Sequence, residues 1–128
     1  MRPRNTPWLV VGAVLVVTAS TAAHHGRLDY RDDQIETVKG TLVKIDVSNP
    51  HSIVYLDNRD PQGAPGQWTI EWVAGLQLKR QGVMDGMLKP GDQLVITGYP
   101  SRNPAEHRLK LRTVARPADG WRWAGTFR

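Results

Sequence analysis

From residue 38 onward apolar and polar positions alternate with the two-residue period of half-buried strands. In TVKGTLVKIDV (37–47), Val43, Ile45 and Val47 share one face, with Lys44 and Asp46 on the other. SNP at 48–50 signals a turn, because proline cannot donate to a ladder. HSIVYLD (51–57) sets Val54 and Leu56 against Ile53 and Tyr55. NRDPQGAPG (58–66) has the composition of an exposed loop. QWTIEWV (67–73) then places Trp68, Ile70 and Trp72 on one side and Thr69, Glu71 and Val73 on the other.

The period changes at AGLQLKRQGV (74–83), where Leu76 and Arg80, or Leu78 and Gln81, fall at helical spacing and Gly82 can close a short helix. LKPGDQLVITGYP (88–100) reads as a tight turn at Pro90-Gly91-Asp92 feeding a strand from Gln93 to Tyr99. SRNPAE (101–106) is a further turn. HRLKLRTVA (107–115) alternates again, with Leu109, Leu111 and Thr113 inward and Arg108, Lys110 and Arg112 outward. PADGWRW (117–123) predicts a final turn with a short closing strand.

Three strands, one short helix and two strands is the order of a five-stranded Greek-key barrel of the OB type, whose helix lies between the third and fourth strands. The predicted fold class is therefore all-β with one short helix. An open antiparallel sheet carrying one helix has the same periodicity and stays as the rival. Closure would remove the free edges that invite aggregation.

The start of the chain follows another pattern. Arg2 and Arg4 precede the apolar run Trp8–Val17, and TASTAA (18–23) supplies small residues. That combination predicts a secretory signal over 1–23. The run is about half the ~20 residues a membrane-spanning helix needs, and no cysteine stands there to carry a lipid. The expected product is periplasmic or secreted, with a polar arm over 24–36, a barrel domain over 37–128 and no integral membrane span. Cleavage after Ala22 and after Ala23 fit equally. Loss of Arg2 and Arg4 lowers the formal charge from +5 to +3, too weak a basic balance to demand a polyanion. Nucleic acid is not an expected partner.

The chain resembles a family of small, uncharacterised exported bacterial proteins with a signal peptide, a His-His mature start and an Asn-Pro-His turn. The likeness is carried by AHHG (23–26), VKGTLVKIDVSNPH (38–51), Trp68 with Glu71, LKRQG (78–82), LKPGDQLVITGYP (88–100) and Asp119-Gly120. Gly26 and Arg27 depart from the Ser and Phe that usually follow the histidine pair. The resemblance implies export and a domain of unknown function; it implies no activity.

The histidines carry the candidate chemistry. Neutral imidazole is the commonest metal ligand, and a cysteine-free set of imidazoles with an amine suits Cu(II) or Zn(II). With cleavage after Ala23, the α-amine and Nδ1 of His24 chelate together, and His25 or His51 completes the set. With cleavage after Ala22, Ala23-His24-His25 has histidine in third place, which wraps Cu(II) in a plane of amine, two amides and imidazole. His51 follows Pro50, whose fixed φ presets the backbone at one end of the barrel. The metal candidates are His24, His25 and His51; His107 reads as an exposed turn residue. Glu71, with Trp68 and Trp72, is a candidate for a carboxylate supporting a histidine or for a ligand-binding face. The plainer reading of Glu71 is a solvent-face partner for Lys44 or an arginine.

No serine–histidine–aspartate, phosphate-loop or paired-carboxylate pattern appears, which favours a binding module over an enzyme. Its leading ligand is a divalent metal. The alternative is a metal-free module binding a small molecule, an envelope component or a protein through Trp68, Trp72 and the Arg108/Lys110/Arg112 stripe. A metal-dependent oxidoreductase on the same histidines is a third class.

Overall fold

The computed structural model describes residues 29–59, 63 and 65–125. Six strands and one helix follow in order: β1 (Glu36–Asp46), β2 (Ser52–Arg59), β3 (Pro65–Trp72), α1 (Gly75–Arg80), β4 (Gln93–Pro100), β5 (Arg108–Arg116) and β6 (Trp121–Ala124). The sheet order is β3-β2-β1-β4-β5-β6, and a parallel pairing of β3 with β5 closes the first five strands into a barrel. The five-stranded barrel expected from the pattern is therefore present, and the open-sheet rival is not. β5 divides its free edge: Arg108–Lys110 meet β3, and Thr113–Arg116 meet the added strand β6.

β1 similarly serves two neighbours, pairing with β4 over Glu36–Thr41 and with β2 over Thr41–Asp46. The changeover requires close backbone approach at Gly40, where a Cβ would stand 2.5 Å from the Asp57 carbonyl oxygen. A bulge follows, since Leu42 faces Leu56 but Lys44 faces Tyr55. One extra residue reverses the pleat. The expected apolar face of Val43, Ile45 and Val47 is corrected accordingly. Val43 turns to solvent, Val47 lies exposed beyond the strand, and the buried residues of β1 are Val38 and Leu42, with Ile45 partly covered.

β5 carries a second bulge, where Leu111 faces Gly98 and Thr113 faces Thr97. Thr113 therefore points outward and bonds Thr97, while Val114 enters the core. β2 and β3 keep their expected faces: Val54, Leu56, Ile70 and Trp72 are buried.

α1 lies between β3 and β4, as the barrel order requires, and buries Leu78 against the core. It ends where Gly82 takes φ +81°, with Val83 N–H bonded to the Leu78 carbonyl at 2.9 Å. Trp72 and Trp123 pack edge to face at 5.2 Å in the core between α1 and the strands. The Pro90-Gly91-Asp92 turn is held by Asp92, which accepts from the Lys89 N–H at 3.0 Å and from Arg116 at 2.7 Å. Among the described residues no helix is long and apolar enough to cross a membrane.

Candidate metal centre

The corner before β2 is tightly bonded. Ser48 Oγ donates to the His51 carbonyl at 2.7 Å, Gly75 N–H donates to the Ser48 carbonyl at 2.9 Å, and the Asn49–Pro50 peptide is cis. Ser52 points into the barrel, so His51 lies on the outer surface, its side chain 42% exposed.

Glu71 occupies the outer face of β3, opposite Ile53. Its carboxylate is only 13% exposed, because two side chains converge on it. His51 Nδ1 stands 2.9 Å from Oε1, and the Tyr30 hydroxyl donates to Oε2 at 2.9 Å. Among the described residues Glu71 thus takes neither Lys44, which pairs with Asp46, nor a direct arginine partner. Arg108 reaches it through Tyr30, donating to the phenol oxygen at 3.2 Å.

Tyr30 belongs to the segment read as a polar arm, yet it is 3% exposed. It bridges to Ser101, while Arg31 N–H donates to the Pro100 carbonyl at 2.8 Å and Arg102 N–H to the Asp29 carbonyl at 2.9 Å. Burial, then the Glu71 charge, holds its hydroxyl above the ordinary phenol range, so Tyr30 remains a proton donor to that carboxylate. Below it, Glu106 accepts from Ser101 Oγ at 2.9 Å and from Arg108 at 3.0 Å. The Ser101 hydroxyl and Arg108 hold the Glu106 carboxyl below its usual value.

Of the residues singled out in the sequence, the structure brings His51 and Glu71 together. His24 and His25 lie outside the described residues. Trp68 and Trp72 do not share a face with Glu71. Trp72 is in the core, and Trp68 stacks on the exposed ring of His107 at 5.1 Å. A ligand face combining both tryptophans with the basic stripe is therefore not formed. Tyr30 was missed by sequence reasoning, although a lone aromatic inside RLDYRDD is the mark of a docked arm. Among the described residues no three His, Asp or Glu groups lie close enough to hold a metal ion. A centre at His51 thus needs donors from beyond those residues.

A family model spans residues 13–110, taking in the histidine pair, the Asn-Pro-His corner and Glu71. The chain belongs to the DUF6152 family. It is a family of unknown function, in keeping with the resemblance to uncharacterised proteins drawn from the motifs. Neither a curated protein nor a solved structure matches the chain significantly.

Proposed function

We infer that the chain is an exported metal-binding module that holds Cu(II), or Zn(II) in its place, with His24, His25 and His51. The observation that carries this reading is the shared carboxylate: Glu71 meets His51 on one oxygen and Tyr30 on the other. Four residues lie between His25 and Tyr30, so the five steps span at most about 18 Å. The anchored Tyr30 therefore keeps the histidine pair within range of His51. A carboxylate beside one ring nitrogen orients a ligating imidazole and leaves its other nitrogen, Nε2, for the metal. In this reading Glu71 positions His51 and Tyr30 positions both Glu71 and the arm. The bound ion would be held by nitrogen donors, a set that suits Cu(II) well.

The test uses protein processed by its own leader, without an added amino-terminal tag. Electron paramagnetic resonance of the Cu(II)-loaded chain should give a stoichiometric, nitrogen-rich signal that disappears when His24 and His25 are both replaced by alanine. Glu71→Gln should weaken affinity about 10–100-fold with the fold intact. Intact mass distinguishes the two cleavage positions and hence the two chelate geometries. Stoichiometric binding that survives the double replacement would overturn this ligand set, and no tight binding at all would leave the metal-free module.

A further inference from the structure

Three adjacent strands contain no carboxylate. β4, β5 and β6 hold Arg108, Lys110, Arg112, Arg116 and Arg122, and neither aspartate nor glutamate. Arg108 pairs with Glu106, and Arg116 with Asp92 and Asp119, all from the connecting loops. Arg112 and Arg122 are exposed, as is Lys39 on the neighbouring β1. Among the described residues none of these three forms an ion pair.

The strand register gathers them on one face. Lys39 stands opposite Val95, Val95 opposite Ala115, and Ala115 opposite Arg122. Their chain neighbours Val38, Ile96, Val114 and Trp123 are buried, so this row occupies the outer pleat. At about 4.8 Å per strand its two charged ends stand roughly 14 Å apart. The next row, Thr37, Thr97, Thr113 and Ala124, is uncharged. Arg112, the additional residue of the β5 bulge, is exposed beside it. Ile35, immediately ahead of β1, is 48% exposed. Acids stand at the margins of this face: Asp57 on β2 opposite Thr41, and Asp32 with Asp33 in the turn before Ile35.

We propose that the outer face of β1, β4, β5 and β6 docks on an anionic lipid surface, with Lys39, Arg112 and Arg122 among the headgroups. Cations spread along a convex barrel wall do not converge on one small anion, whereas a surface of many separate negative charges meets each of them. Val95 and Ala115 are short and the flanking Lys39 and Arg122 are long, so the charged ends reach past the middle of the row. Exposed Ile35 favours lipid over a soluble polyanion, because the headgroup–acyl boundary rewards apolar contact as well as positive charge. The face uses none of the metal candidates and stands apart from that reading.

The experiment measures co-sedimentation of the processed chain, its leader shown by intact mass to be gone, with two kinds of vesicle. One is phosphatidylcholine alone and the other contains about one-third phosphatidylglycerol. The chain should partition onto the anionic vesicles only, and less as salt shortens the reach of the charges. Replacing Lys39, Arg112 and Arg122 together by glutamine should weaken that partition about 100-fold, from roughly fivefold per cation. Lys79→Gln, Arg80→Gln and Lys89→Gln together remove the same charge from exposed positions on α1 and the loop beyond it, and should change binding less than about twofold. Ile35→Asn should weaken it several-fold. All these side chains are exposed, so melting temperatures should match the parent. Absence of binding to the anionic vesicles would overturn the proposal, as would equal losses in the two triple variants. Tighter binding to soluble polyphosphate than to the vesicles, through the same three cations, would overturn the lipid assignment.

Discussion

Glu71 and Trp72 are consecutive, yet they belong to opposite kinds of environment. Outside β3, Glu71 meets His51, Tyr30 donates to the same carboxylate, and Arg108 and Glu106 extend the chain of contacts. Inside, Trp72 packs among apolar side chains and its one polar atom has no partner among the described residues. The outer region is specified by directional bonds and the inner one by volume. A single step of the pleat separates them. Charge and exposure guide the search for function on the outer face, whereas the inner face is read from volume and burial.

Truncation should break this contrast most severely on the inner side. Trp72→Ala is expected to cost about 3–5 kcal/mol, because a large core residue at 1% exposure leaves a cavity. Chemical denaturation should show the loss directly, and a change below about 1 kcal/mol would mean that the neighbouring core side chains collapse into the space.

On the outer side Tyr30→Phe removes the hydroxyl that links Arg108 to Glu71 by hydrogen bonds. The expected loss is about 1–2 kcal/mol, from leaving Glu71 and Arg108 short of a partner. The same variant sharpens the comparison through pH. The folded Tyr30 pKa is raised, so the folded state holds the phenol proton more strongly than the unfolded chain does. That contribution is complete below the ordinary phenol pKa and fades as pH climbs towards the folded value. Alkaline melts of the parent should therefore fall more steeply than those of Tyr30→Phe, and superimposable curves would contradict the buried donor.

The Pro90-Gly91-Asp92 corner provides the acid counterpart. Asp92 is held below its usual pKa by the Lys89 N–H and then Arg116, and Asp119 by Arg116 and then the Trp121 N–H. Lowered carboxyls stabilise the fold above the ordinary carboxylate range, and that part is lost as pH falls through their folded values. Arg116→Gln should flatten the acid limb of the melting curve and leave the alkaline limb unchanged. The smallest effect is expected at the surface stack. His107→Ala, beside Trp68, should change stability by no more than about 0.5–1 kcal/mol, measured by the same denaturation.

Much of the barrel was legible because strand order, turn residues and the change of period at α1 are local properties. Gly82 and Pro90-Gly91-Asp92 mark their turns through backbone preference alone. The misplaced faces, Val43 and Thr113, both follow from bulges at Leu42/Lys44 and Thr97/Gly98. A bulge is a fact about two paired strands, so neither strand carries it in its own alternation.

The candidate site was legible only as a set of residue types. Pro50 before His51 and the place of Glu71 between Trp68 and Trp72 could be read along the chain, but not the contact of His51 with Glu71, which stand 20 positions apart. Tyr30 was hidden for the same reason, its partners Glu71 and Arg108 being brought to it only when β3 and β5 close the barrel.

By itself the sequence determined the element order, the short helix and most buried faces. These rest on backbone preferences and on the period with which apolar side chains recur. Only the tertiary structure decided which charges meet and where the pleat reverses. Those outcomes depend on closing strands distant in the chain, where a shift of one residue exchanges the inside of the barrel for the outside.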